Sequence, residues 1–528
     1  MKTPAECLQC WKQQIKKQWK LAFLTAFLVG LLVHLPMMLS DIPNHDGLDS
    51  MYFDQNMITS GRWFLMIACG FSSYFTLPWI IGLIGLLWLG VTAAFLVEFL
   101  ECKDGISVVL ISGLLAVFPA LASTFAYVFT LDGYMLALLF AVAAPLCVKK
   151  WKFGFIPGAL CLALSLGTYQ AYLPFAVILS IYGILMLAME DGTLQKKLQK
   201  VGSYLLMGVA GLALYYLLLQ VLLKLQGKVL DTYQGIQSMV SAGGTEAGTS
   251  PVELVKTMYL DFLAFTVKGN VWINNLWSLL GVILLFGAVL LVLLPMIGRK
   301  KWWKKPLFWL LMGLSALGLP IACNLILVIS PDVTYHLLMR YHWVLLLILP
   351  IAFVGRSVTS EDKKVSRSDS LGLWALLLAG VLLIGNYAVT DNIAYANLQK
   401  RYEKTYAYCI RLLDRIEQTP GYYQGIPIAM IGVVGEDSYP STDLTGEVTA
   451  NMIGMTGDVL LYTGDNYASF IRHYLGASLN ILPAEVMSEI YYSESYRELD
   501  SFPGENSTKV VDGVLYVKTE NIDRTEGK

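Results

Sequence analysis

Charge is what this chain has least of. Only 15% of its 528 residues are charged, against 56% hydrophobic, whereas a soluble domain carries roughly 25% charged residues. That deficit has to be matched by surface facing lipid. A net charge of −1 leaves no electrostatic footprint for nucleic acid. Cysteine is sparse and scattered. Cys7 and Cys10 form a CLQC pair, but no second pair or neighbouring His completes a zinc site, and too few cysteines fall outside the cell to build a disulfide framework. No Gly-rich phosphate loop or nucleotide-binding pattern occurs. No internal repeat is evident, which counts against transporter folds made of duplicated halves. No small-residue cleavage site follows the first apolar run, so that run reads as a signal anchor.

What the chain has in abundance is long apolar runs. A bilayer core needs about 20 apolar residues per helix, and that ruler gives about eleven spans. They fall at 20–39, 77–99, 106–126, 131–148, 153–169, 171–189, 201–223, 275–298, 307–329, 341–355 and 371–390. The fold class is therefore an α-helical polytopic membrane protein. Basic clusters at Lys12–Lys20, Lys149–Lys152, Lys196–Lys200, Arg299–Lys305 and Arg356–Arg367 all fall on one side of an eleven-span chain. The positive-inside rule then places the amino terminus inside and the carboxyl terminus outside.

Three outer segments are too long to be turns: 40–76, 224–274 and the tail. The first two belong to a membrane module over 1–390. The tail, 391–528, is long enough for a small domain. It opens with a charged helix over Asn397–Glu417, continues with the strand IPIAMIGVVG, a helix near Tyr467–Tyr474 and the strand VLYVKT. This alternation predicts a small α/β extracytoplasmic domain.

The first outer loop reads DIPNHDGLDSMYFDQNMITSGRWF. Asp46 is placed to cap a helix that runs along the membrane surface, with Asp46, Ser50 and Asp54 on one face at four-residue spacing. Four acids, Asp41, Asp46, Asp49 and Asp54, stand there against Arg62 alone. Solvated surface acids are the bland reading of such a loop, but their concentration in so charge-poor a chain points to chemistry. A carboxylate there can take the proton of a hydroxyl as general base, and Arg62 can hold a phosphate. Other residues at outer helix ends can line the same cavity: Asp132, Tyr169 and Gln170, and the cluster Asp332, Tyr335, His336, Arg340 and His342. Arg340 is the best phosphate ligand of that cluster, with His336 one turn before it on the same helical face; snorkelling is its bland alternative. His34 and Asn324 lie within spans and are expected to face the bundle interior. Asn44, His45, Asp46 and Asp49 contain ligand types for a divalent cation, but no tight metal site stands out and no cofactor is expected.

The first loop with HDG, the downstream GRWF, and LGTYQAY at the fifth-to-sixth turn resemble the bacterial Gtr type II glucosyltransferase family, a branch of the GT-C superfamily. The resemblance covers the chain from the first span to about residue 390. It implies an inverting enzyme that moves glucose or another hexose from a polyprenyl-phosphate carrier to a cell-surface glycan, such as an O-antigen or teichoic acid. It further implies Asp46 as the catalytic base, with Asp49 and Asp54 as candidates by proximity. Substrate would be bound by Asp41, His45, Arg62, Asp132, Tyr169, Gln170, His336 and Arg340. The implied partners are the lipid-linked donor, the glycan acceptor, the bilayer, a donor-synthesising enzyme and a flippase. A polymerase of lipid-linked glycans would concentrate arginines in its large outer loops, and a transporter or flippase would place charges at mid-membrane. Here the polar residues gather at the outer ends.

Overall fold

The computed structural model describes residues 3–49, 53–70, 76–190, 192–231, 250–304, 306–330, 333–358, 366–431, 442–445, 452, 461 and 464–519. Among these, eight helices are long and apolar enough to cross a membrane, and the pair Gly105–Val117 and Pro119–Phe125 meets the same length and hydropathy together across a 44° bend. Two shorter apolar helices, Phe155–Thr168 and Phe308–Cys323, complete the set. An apolar helical segment thus stands at each of the eleven positions expected from hydropathy, and the protein is a multi-pass helical membrane protein. Helices are the economical solution here because every backbone N–H and C=O finds its partner within the segment.

Departures from the expected boundaries have local causes. The bend falls at Phe118, which is extended (φ −67°, ψ 130°) because the Pro119 ring disfavours helical geometry in the residue before it. The run expected at 307–329 stops at Cys323; the Asn324 side chain turns aside to donate to the Met258 carbonyl at 2.7 Å, and a short helix, Ile326–Ile329, comes next. The last span does not stop at 390. It continues as one helix, Arg367–Glu417, that absorbs the separate charged helix expected over 397–417, because no proline interrupts the chain and no glycine follows Gly385 until Gly421.

The chain divides into two units. The first comprises Met1–Ser40, Tyr52–Asn392 and Ala450–Ile453; the second comprises Asp41–Met51, Ile393–Thr449 and Gly454–Lys528. In the first unit, the ends of several spans are tied by ions. Lys16 (2.7 Å) and Lys150 both pair with Glu98, Lys149 with Glu101 at 3.1 Å, and Arg356 with Glu101 at 2.9 Å and Glu190 at 2.6 Å. Three of the basic clusters used to orient the chain therefore gather at one end of the bundle. Elsewhere in this unit, Asn274 and Asn275 form a polar knot with Asn386 and Thr390, and the Tyr387 hydroxyl donates to the Trp272 carbonyl at 3.0 Å.

The second unit is built on a four-stranded sheet of order β2-β1-β4-β3, where β1 is Pro427–Ile431, β2 Asn480–Ile481, β3 Thr508–Val511 and β4 Val514–Lys518. β1 runs parallel to β2 and β4, and β3 pairs antiparallel with β4. β1 and β4 are the two strands expected from sequence, and the helix expected near Tyr467–Tyr474 is also present. Ala429, Tyr496, Leu499 and Tyr516 form a buried cluster on this sheet. The turn at 442–445 is pinned by the buried Arg401–Asp443 ion pair and by Asn397, which accepts from Leu444 N–H at 2.8 Å and donates to the Thr445 carbonyl at 3.1 Å.

Candidate functional site

Two segments that stood out in the sequence, GRWF and LGTYQAY, meet in the first unit. Gly61 has φ +77°, a left-handed conformation that costs a side-chain-bearing residue. A Cβ there would also lie 2.7 Å from both the Gln170 amide nitrogen and the Tyr215 hydroxyl. Gln170 donates to the Ser60 carbonyl at 3.0 Å and Tyr215 to the Gly61 carbonyl at 3.1 Å. Phe64 N–H donates to the Gly167 carbonyl at 2.7 Å, and the Trp63 indole lies against Gly167 so closely that a Cβ would come within 2.5 Å of it. Glycine at 61 and at 167 is thus a condition of the junction.

Arg62 is carried by this junction. It is half-buried, donates to the Tyr134 hydroxyl at 3.2 Å and lies over the Tyr169 ring at 5.3 Å. Tyr134 and Tyr169 are themselves stacked at 4.0 Å. Arg62, Tyr169 and Gln170, three of the residues expected from sequence, therefore come together. Tyr134 and Tyr215 join them without having been expected; each is a tyrosine inside an apolar span, which is the only trace it leaves in the sequence. Asp132 is buried and accepts from Gly133 N–H at 2.9 Å.

Arg340 sits in a second cluster of the same unit, only 7% exposed. Both arms of its guanidinium hold the Asp261 carboxylate at 2.7 Å, and its Nε donates to the Tyr335 carbonyl at 3.3 Å. The group lies between aromatic faces, 3.6 Å from Tyr335, 4.5 Å from Phe265 and 5.2 Å from Trp343. Desolvation and a bidentate fork make this a strong pair. The expected helical face shared by His336 and Arg340 does not form. The segment Leu337–Val344 is a 3₁₀ helix that begins after His336 and kinks at Arg340 (φ −100°, ψ 18°). The His342 ring and the Tyr335 hydroxyl both donate to the Cys323 carbonyl, at 2.7 and 2.8 Å, serving the open end of the Pro306–Cys323 helix. Asp332 lies outside the described residues. His34 is fully buried, donates to the Ala116 carbonyl at 2.8 Å and stacks on Phe125.

Alongside Asp261, the helix Pro251–Lys268 presents Phe262 and Thr266 to a cavity of about 610 Å³. Ile181, Tyr182, Trp272, Phe286 and Phe353 are among the other residues lining it, and among the described residues no charged side chain does. This is the size of a small-molecule site.

The acids of the first loop behave differently from expectation. The helix covers only His45–Asp49, and its cap is Asn44, which accepts Gly47 N–H at 2.7 Å, rather than Asp46. The expected helical face does not reach Asp54, since residues 53–57 are not helical. Gln55 adopts φ +56°, and Asp54 turns back to accept Asn56 N–H at 3.0 Å, a local bond that competes with helix. Asp41, His45, Asp46 and Asp49 belong to the second unit, Asp54 and Arg62 to the first. Asp46 is exposed; the side chains of His45 and Asp49, and residues 50–52, are not among those described. Among the described residues no group of three or more His, Cys, Asp or Glu is placed to hold a metal ion. Asp41 faces solvent on one side, and partial burial pushes its carboxyl above the usual range, opposed by a hydrogen bond from the Tyr474 hydroxyl.

The model of one protein family, described as glucosyl transferase GtrII, matches residues 35–347, more than half of the chain. That stretch contains both the GRWF–LGTYQAY junction and the Arg340–Asp261 pair. No curated protein and no solved structure matches the chain.

Proposed function

The chain belongs to the GtrII glucosyl transferase family, and from that premise we propose that it transfers glucose from a polyprenyl-phosphate carrier to a surface glycan outside the cytoplasmic membrane. Glucosyl transfer rests on the family. The observation that carries the lipid donor is the apolar cavity of the membrane unit, which suits a hydrocarbon chain and offers nothing to a nucleotide. The gathering of basic clusters at one end of the bundle supports an amino terminus on the cytoplasmic side.

For the donor phosphate we assign Arg62 ahead of Arg340. Arg340 already holds a carboxylate with both arms, so a phosphate there would have to displace Asp261 from a largely buried place. For the base, Asp46 is the assignment, on the sequence motif and its exposure. The acceptor hydroxyl oxygen attacks the anomeric carbon of glucose as its proton passes to the Asp46 carboxylate. The bond from that carbon to the carrier phosphate oxygen breaks, inverting the centre, and the phosphate leaves with its charge met by arginine.

The test is transfer in reconstituted membranes with polyprenyl-phosphate glucose, comparing the native chain with Asp46→Asn. A loss of about 10²–10⁴-fold is expected for removal of a general base. Undiminished transfer would move the base to Asp41, Asp49 or Asp54. Transfer from a nucleotide sugar but from no lipid-linked donor would overturn the proposal.

A further inference from the structure

The second unit holds a group of tyrosines to which neither the family nor the proposed mechanism gives a task. Tyr402 and Tyr406 project from the Arg367–Glu417 helix with ring centroids 6.0 and 6.4 Å from Phe470. Phe470 stacks on Tyr474 at 4.9 Å with the planes 27° apart, and Tyr402 meets Tyr474 edge-on at 6.0 Å. Phe470 is fully buried and forms the floor, while the three tyrosines remain partly exposed. Tyr474 reaches its place through a π-helical turn, Ile471–Leu475, that ends at Gly476 with φ +74°. Such turns are uncommon and frequent at functional sites.

At the edge of these rings lies Asp41. Its carboxylate lies beside the Tyr474 hydroxyl and remains open to solvent. The next residues of the chain hold it there. Ile42 and Asn44 are buried, Asn44 caps the His45–Asp49 helix, and the Ser469 hydroxyl donates to the Leu48 carbonyl at 3.4 Å. The result is an exposed acceptor of fixed position beside aromatic faces and phenolic hydroxyls.

We propose that Tyr402, Tyr406, Tyr474 and Asp41 form a saccharide subsite that takes a neutral pyranose ring of the acceptor glycan. The proposal rests on the reading of the protein as a glucosyl transferase with a glycan acceptor. The chemistry selects the ligand. Aromatic faces receive the C–H face of a sugar ring, the carboxylate accepts two of its hydroxyls, and the Tyr402 and Tyr406 phenols can donate or accept as needed. A phosphate would be repelled by Asp41, and a purely apolar segment would strip water from that carboxylate without replacing it. A small organic cation is the remaining rival, since aromatic rings with a carboxylate also suit it.

Saturation-transfer NMR on the full-length protein in nanodiscs tests this directly, with glucose, rhamnose and N-acetylglucosamine as probes and no donor present. The expected result is saturation of at least one sugar, with affinity lowered about tenfold in Tyr474→Ala and in Asp41→Asn, the scale set by one hydrogen bond to a charged group. Asp41→Asn changes an exposed side chain, so it keeps the test sharp should the tyrosine variant fold poorly. No saturation with any of the three sugars, unchanged saturation in both variants, or displacement of the sugar by tetramethylammonium would each overturn the proposal. Transfer assays separate its failure from that of the donor reading. An acceptor KM unchanged by Asp41→Asn while lipid-linked glucose is still transferred would sink the subsite alone. Sugar binding with no transfer from a lipid-linked donor would sink the donor reading alone.

Discussion

Two junctions in the membrane unit each hold an arginine against tyrosine rings, and they are made from opposite materials. Around Arg62 the chain is locked by close approach: two glycines, an indole on backbone and hydrogen bonds from Gln170 and Tyr215 to carbonyls. Around Arg340 it is locked by charge, a bidentate pair with Asp261 set among three aromatic faces. The first kind of lock depends on what is missing, a Cβ at two positions. The second depends on what is present, and it fails when either ion is removed. A site needing an arginine for an incoming phosphate is better served by the first, because its framework survives changes in charge.

The contrast makes graded predictions, read as thermal stability of the purified protein. Arg340→Ala should cost most, about 3 kcal/mol or more, because it empties a buried place between three aromatic faces and leaves the Asp261 carboxylate without its partner. Asp261→Asn should cost less, since the isosteric amide fills the same space and its oxygen still accepts from the guanidinium, although the buried Arg340 loses its counter-charge. Gly61→Ala should come next at about 2 kcal/mol, from the left-handed backbone and the two atoms at 2.7 Å, with Gly167→Ala close behind. If Gly61→Ala proves worse than Arg340→Ala, the charged lock is not the stronger one. Tyr134→Phe should cost about 1 kcal/mol at most, while lowering the affinity for a phosphate-headed lipid if Arg62 needs that hydroxyl for its aim.

The smallest effect belongs to Asp41, in the other unit. Its carboxyl is raised in the folded state, so the folded protein binds that proton more readily than the unfolded one. Asp41 therefore adds a destabilising contribution that is absent below the ordinary carboxylate pKa and appears in full above the raised one. Asp41→Asn should raise the melting temperature slightly at pH 7, and the gain should vanish as the pH falls toward 4. A gain that persists unchanged at low pH would contradict the burial of that carboxyl.

Much of the architecture was legible in sequence because hydropathy is a local signal. Each of the eleven apolar segments announced itself without reference to any other. GRWF and LGTYQAY were legible too, as motifs that carry the family resemblance, though not as a place where two segments meet. The features that were not legible are carried by partners far apart. Asp261 lies 79 residues from Arg340, in a helix whose remaining residues read as ordinary amphipathic surface. The grouping of Asp41–Met51 with the tail likewise depends on contacts across several hundred residues. β2 and β3 are only two and four residues long, too short for alternation to show. In the first loop the four-residue spacing of acids did suggest a helix, but it could not foresee that Asp54 would turn its carboxylate to the neighbouring Asn56 amide.

The apolar cavity bears on how the protein must be handled and what can block it. If the donor's chain lies there, as proposed, a lining with no charged side chain among the described residues selects by shape and length rather than by charge. On that reading, discrimination by charge falls on the head group. Detergents with long tails will compete for the same space during purification, and donor affinity measured in them should fall as tail length rises. By the same token, an inhibitor built on a plain hydrocarbon chain would gain its potency in this cavity and its selectivity only from the group it carries at its end.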